Sequence, residues 1–349
     1  MIEYRGEVAD GQYEGKGSLY QDGELLYDGE FHESQYEGTG TLYAGTEILY
    51  QGGFQAGIYE GKGELYQDGE LLYEGEFHEG QYEGKGSLYE QGKVIYEGEF
   101  KAGEYDGEGK LYQDEKPVYE GSFVTGMKEG EGTLYDPETG MIVYEGNFVK
   151  DQYDGEGSLY DMETGAILYE GNFAKGNYDG SGRLYDPATQ NLIYDGTFLK
   201  GKREGDGKEY DPETKALIYE GSFREDLHDG DGTEYNKTGA KTYEGRFQLG
   251  TYSGSGVLYD PATGKVLAEG EFRNGALLTP KAELDAAKNP TEVETEASET
   301  EAGATESESS SGAAAASENP SGKQESAPED TEQVPGRTKK TGIGPGYED

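Results

Sequence analysis

Apolar and polar residues alternate along this chain with a period of two. In the stretch YEGEFHEGQYEGKGSLY, from Tyr73 to Tyr89, an extended backbone puts Tyr73, Gly75 and Phe77 on one side and Glu74 and Glu76 on the other. The following segment sets Tyr82, Gly84, Gly86 and Leu88 against Glu83, Lys85 and Ser87. Aromatic residues, strict alternation and glycine-bearing turns at both ends predict β-strands, and no apolar spacing of 3.6 residues predicts a helix before Thr279.

The phrase returns at a fixed interval. Its starts fall at Tyr4, Tyr27, Tyr50, Tyr73, Tyr96 and Tyr119, 23 residues apart, and then at Tyr144, Tyr169, Tyr194, Tyr219, Tyr243 and a degenerate Ala268, at steps of 25 residues with one of 24. Self-similarity of this kind marks a repeat architecture of eleven units and a partial twelfth. The change of length sits in one turn, Asp22-Gly23 or Asp68-Gly69 in short units and Asp136 to Gly140 in long ones. Two added residues keep the facing of the next strand, so the 24-residue step at Asn236 to Gly239 predicts a bulge or an altered loop.

At the other turn, Glu79-Gly80 predicts a two-residue hairpin, with glycine recurring at its second position and Ser34, Asp151 and Asp226 departing from it. Counting outward from that turn sets Phe77 opposite Tyr82, Gly75 opposite Gly84 and Tyr73 opposite Gly86. On the other face Glu74 meets Lys85 and Glu76 meets Glu83. Each ring then lies over bare glycine backbone, so a single sheet can bury aromatic area without a second layer. The fold class expected is all-β: an elongated single-sheet antiparallel meander of stacked β-hairpins over residues 1–279, with a disordered acidic tail over residues 280–349.

YEGEF followed by G-x-Y-x-G-x-G-x-LY at a 23-residue period resembles the MORN repeat, over about residues 4–277. Phe stands where that motif commonly has Trp, and Tyr-acid-Gly where it commonly has His-Gly. The resemblance implies stacked β-hairpins and a module for phospholipid or membrane association.

Composition narrows the function. The formal charge is −44, of which residues 280–349, with 6 basic and 16 acidic residues, contribute −10. A surface of that sign repels nucleic-acid phosphate and anionic headgroups, which excludes nucleic acid as a partner and disfavours membrane contact. There is no Cys, no apolar stretch of transmembrane length, and no secretory signal in MIEYRGEV, which gives the expectation of a cytoplasmic chain. From about Asn289 the sequence is Glu, Ser, Thr, Ala and Pro, too polar to fold alone, and ends in TKKTGIGPGYED; AELDAAK, Ala282 to Lys288, has the makings of a short helix.

No catalytic, metal or cofactor site is expected. The three histidines include His32 and His78 at equivalent repeat positions, no EF-hand spacing occurs, and each G-x-G lacks the strand-to-helix context of a phosphate loop. The function expected is a noncatalytic scaffold for protein–protein interaction, with the ladder Tyr27, Phe31, Tyr50, Phe54, Tyr73, Phe77, Tyr96, Phe100, Tyr119, Phe123, Tyr144 and Phe148 as the candidate binding face. A phospholipid module and a surface glycan-binding protein are the alternatives, the partner protein is unidentified, and exposed end strands leave homodimerisation open. One irregularity interrupts the ladder: Arg203 and His228 replace Tyr, and Glu209 and Glu234 replace Leu, a candidate polar notch for a partner's charged group.

Overall fold

The computed structural model describes residues 1–288, which divide into two compact units, residues 1–200 and residues 201 onward. In the first unit strands run from Ile2–Ala9 to Leu192–Leu199. In the second they run from Lys202–Tyr210 to Ala276–Pro280 and end in the helix Lys281–Lys288. Within each unit every strand pairs antiparallel with its neighbour in sequence, so the architecture is the all-β meander of hairpins that the periodicity predicts.

The Glu79-Gly80 turn has positive φ at both positions, 49° and 76°, the geometry of a primed two-residue hairpin. Ser34, Asp151 and Asp226 take up the same conformation without glycine. Each offers a side-chain oxygen to a backbone N–H of the preceding repeat, from Tyr13, Lys128 and Arg203 at 3.0, 2.9 and 2.9 Å, which offsets the steric cost of the left-handed region.

The register differs from the one counted outward from the turn. Phe77 does oppose Tyr82, and Glu76 opposes Glu83, but Gly75 opposes Gly86, Tyr73 opposes Leu88, and Glu74 opposes Ser87. Gly84 and Lys85 form a bulge between the two halves of the pairing, with Gly84 at φ 60°. Because the slip is two residues, every side chain keeps its face. The slip also sets Gly75 and Gly86 side by side beneath one ring: a Cβ on Gly75 would lie 2.6 Å from the Tyr73 Cζ, and one on Gly86 would lie 2.5 Å from it.

That ring is fully buried. It stacks on Tyr82 at 3.9 Å and 13°, and meets Phe77 at 5.1 Å and Phe100 at 5.2 Å edge to face. Offset stacks and edge-to-face pairs suit the ring quadrupole, so the aromatic rows supply a continuous core without aliphatic filling.

The 24-residue step is absorbed in an altered loop. In long units Asp136 N–H donates to the Met141 carbonyl, whereas Asn236 N–H closes onto Ala240, one residue sooner. Tyr235 accordingly faces Lys241 much as Tyr135 faces Ile142, and the strand keeps its facing. The degenerate unit also joins the array, with Ala268 opposite Leu258. The tail beyond residue 288, with its TKKTGIGPGYED end, lies outside the described residues.

Candidate binding groove

Every ring of the candidate binding face is core. The six tyrosines, Tyr27, Tyr50, Tyr73, Tyr96, Tyr119 and Tyr144, are 0% exposed, and Phe31, Phe54, Phe77, Phe100, Phe123 and Phe148 lie between 1 and 4%. Their faces are spent on one another and on glycine, leaving little ring surface for a partner. Each ladder hydroxyl also has a fixed acceptor three residues on: Tyr27 donates to the Glu30 carbonyl at 3.1 Å, Tyr73 to Glu76 at 3.0 Å, and Tyr144 to Asn147 at 3.0 Å. A second row of tyrosines covers the first, and burial pushes Tyr59, Tyr82, Tyr105 and Tyr178 up to about 12.

The notch residues, all in the second unit, are joined to neighbours rather than open. Arg203 Nη1 donates to Glu209 Oε1 at 3.0 Å and Arg203 Nη2 to the Asp226 carbonyl at 2.8 Å, while His228 Nε2 lies 2.9 Å from Glu209 Oε2. His228 stacks on Tyr219 at 3.5 Å and 7°, as a second-row tyrosine would. Glu234 accepts from the hydroxyls of Tyr252 and Thr242. Burial opposes ionisation of Glu209, but the His228 hydrogen bond and the Arg203 charge outweigh it and hold the carboxyl below its usual range.

One row of acids is structural. Glu60 accepts from the Glu79 N–H at 3.1 Å, Glu83 from Ala102 at 3.0 Å, Glu129 from Lys150 at 3.0 Å and Asp154 from Lys175 at 3.2 Å. Each carboxylate thus caps the first, left-handed residue of the next repeat's turn. His78 Nδ1 joins Glu60 at 3.1 Å, and that hydrogen bond raises the imidazole pKa and lowers the carboxyl's; His32 and Glu14 repeat the arrangement. The sequence carries a signal for this row, an acid after the second-row position in each repeat from Glu14 to Asp229, but the capped amide lies about 20 residues away and local reading does not connect them.

The free surface is the other face of the first unit. Positions such as Gly63, Gly75 and Gly86 turn away from this face, since a Cβ there would meet the tyrosine rings behind, and over their backbone a groove of about 1180 Å³ opens between Thr39 and Glu120. It is continued by one of about 970 Å³ from Glu108 to Asp195, with Glu108 and Glu120 common to both. Two rows of carboxylates flank the glycine floor in this second stretch, Glu108, Glu131 and Glu156 on one side and Glu120, Glu145, Glu170 and Asp195 on the other, against Arg183 and the Lys110 that pairs with Glu120. The floor is the same glycine rail that the tyrosines cover from behind.

Among the described residues no group of three or more His, Asp or Glu side chains is arranged to hold a metal ion, and no helix is long and apolar enough to cross a membrane. The MORN repeat pattern matches eleven stretches, residues 4–24, 27–45, 50–70, 73–92, 96–114, 119–140, 144–161, 169–188, 194–213, 219–241 and 243–262. No curated protein matches the chain. Matched stretches fill more than half of the sequence, and ten of the eleven open on a buried ladder tyrosine, from Tyr27 to Tyr243, that anchors its hairpin, so this chain belongs to the MORN-repeat family.

Proposed function

We propose that the chain is a noncatalytic scaffold that holds a protein partner along the glycine-floored groove of the first unit. The observation that carries this reading is the groove itself: consecutive repeats align bare backbone between rows of carboxylates, an extended surface suited to a long, narrow ligand. MORN repeats are consistent with scaffolding for protein or membrane interaction. The acidic rows favour the protein reading, since an anionic leaflet would meet charges of its own sign. A groove-neutralised variant, with Glu131, Glu145, Glu156 and Glu170 each changed to Gln, is expected to lose partners that the full chain retains in affinity capture, with its thermal unfolding unchanged. Capture of the same set by both proteins would refute the groove as the binding surface. Sedimentation with anionic vesicles at low salt would instead favour the membrane reading.

A further inference from the structure

Four successive repeats of the groove carry the same cross-strand pair, and two of the four already show how a cation sits there. Lys110 opposes Glu120 with Nζ 2.9 Å from the carboxylate, and Arg183 opposes Asp195 with Nε at 3.5 Å. In the two repeats between them the basic position is a small hydroxyl residue, Thr133 opposite Glu145 and Ser158 opposite Glu170. Glu145 and Glu170 accept from the Tyr160 and Tyr185 hydroxyls, at 3.4 and 2.8 Å. Arg183 also stands across from Glu170, on the side away from Ser158, but its ion pair is with Asp195, and among the described residues no ion pair is made by Glu145, Glu170 or the facing Glu131 and Glu156.

The spacing selects the ligand. Equivalent carboxylates recur every two strands, ~9.6 Å along the groove at ~4.8 Å per strand. A polyproline-II segment advances ~3.1 Å per residue with three residues per turn, so every third side chain shares one face at ~9.3 Å. A β-strand would turn residues i and i+3 to opposite sides. Resting on the scaffold reading, we propose that the Glu108–Asp195 stretch docks a polyproline-II segment of a protein partner bearing Arg or Lys at every third position. Two of its cations take, beside Glu145 and Glu170, the places that Lys110 and Arg183 hold in the flanking repeats.

The probe is a dye-labelled (Pro-Pro-Arg)4 peptide, compared by fluorescence anisotropy with a peptide of the same composition whose four arginines are contiguous. At ~0.15 M salt the screening length is ~8 Å, shorter than the cation spacing, so bulk attraction between opposite net charges is damped. The full chain is expected to bind the periodic peptide roughly tenfold tighter, the scale of two exposed ion pairs. Two variants are each expected to remove most of that difference: Glu145→Gln with Glu170→Gln, and Thr133→Lys with Ser158→Lys, which supplies the cations from within. Equal affinities for the two peptides, or a preference that both variants leave intact, would overturn the proposal. If equal affinities accompanied a partner lost on groove neutralisation, the scaffold reading would stand and this occupant would not.

Discussion

The Tyr73 hydroxyl donates to the Glu76 carbonyl at 3.0 Å, so the residue that opens the repeat also fastens its strand where the register shifts, at the position right after Gly75. The same bond from Tyr50 to Gly53 and from Tyr96 to Glu99 shows why tyrosine rather than phenylalanine fills this row. Tyr73→Phe preserves the ring and removes the donor, and its expected cost is about 1 kcal/mol. Tyr73→Ala also removes the cover of the glycine rail, and about 3 to 5 kcal/mol is expected, as for other large aromatic truncations. Urea denaturation of the two variants measures both; a phenylalanine variant as damaged as the alanine one would mean the hydroxyl, not the ring, carries the position.

Two glycines in one repeat separate close packing from backbone conformation. A Cβ on Gly86 would meet the Tyr73 ring at 2.5 Å, in a backbone that any residue adopts, so Gly86→Ala acts by displacing the ring. Gly92 sits at φ 75° with nothing within 4 Å of its would-be Cβ, so Gly92→Ala pays only for a left-handed alanine. Roughly 1 to 3 kcal/mol is expected for Gly86→Ala, together with altered tyrosine near-UV dichroism. About 1 kcal/mol with an unchanged spectrum is expected for Gly92→Ala. Unaltered aromatic dichroism in Gly86→Ala would contradict the packing described for the rail.

Strand positions, the facing of each ring and the Phe77–Tyr82 pair are legible in the sequence because period-two alternation and turn length fix them. The bulge is not, because counting outward from Glu79-Gly80 treats Gly84 as an ordinary paired residue. What selects the slip is a contact between layers, one tyrosine ring needing Gly75 and Gly86 adjacent. The groove was hidden for a related reason: the alternation marks Tyr73 and Phe77 as one face, but not that their rings use up that face and leave the acidic one open. Capping of Ala102 by Glu83 spans 19 residues and exists only once consecutive hairpins are stacked.

Burial of the second tyrosine row makes stability fall in alkali. Tyr59, Tyr82, Tyr105 and Tyr178 are pushed from 10.0 up to about 12 by desolvation of the phenolate. Their folded pKa exceeds the unfolded one, so their contribution is fully present below pH 10 and is lost as pH rises toward about 12. Two pH units correspond to about 2 to 3 kcal/mol for one such tyrosine, so several together should unfold the array within that window. Ultraviolet titration is expected to show exposed tyrosines ionising first and the remainder ionising abruptly with loss of far-UV dichroism. A smooth single titration near pH 10 with the sheet intact would show that these hydroxyls are solvated.

Asp211 provides the acid counterpart in the second unit. Its carboxylate accepts from Lys237 Nζ at 2.8 Å and from the Thr214 N–H and hydroxyl at 2.8 and 2.9 Å, and these bonds, the lysine's foremost, lower its pKa from 3.8 to about 2. The folded value lies below the unfolded one, so the loop's stabilisation is present above about pH 4 and is lost as pH falls toward 2. Carboxyl chemical shifts followed by NMR should place Asp211 among the last groups to protonate, and Lys237→Ala should move it upward. No movement in that variant would assign the shift to Thr214 alone.

Capping across repeats predicts a local effect rather than a global one. The Ala102 N–H, at a left-handed residue of φ 49°, finds its acceptor in the Glu83 carboxylate of the preceding repeat. Glu83→Ala leaves that donor to water and is expected to cost about 0.5 to 2 kcal/mol, as loss of a helix cap does, because in both cases a side-chain oxygen satisfies a backbone donor that the regular ladder cannot reach. Glu83→Gln keeps an acceptor oxygen in place and should recover most of the loss. Amide hydrogen exchange distinguishes the cap from a general electrostatic role. With the cap removed, protection at Ala102 should drop while that of Gly98, in the middle of its strand, stays near the wild-type value. If protection falls equally at both, the carboxylate acts through the net charge of the sheet and the cap contributes nothing specific.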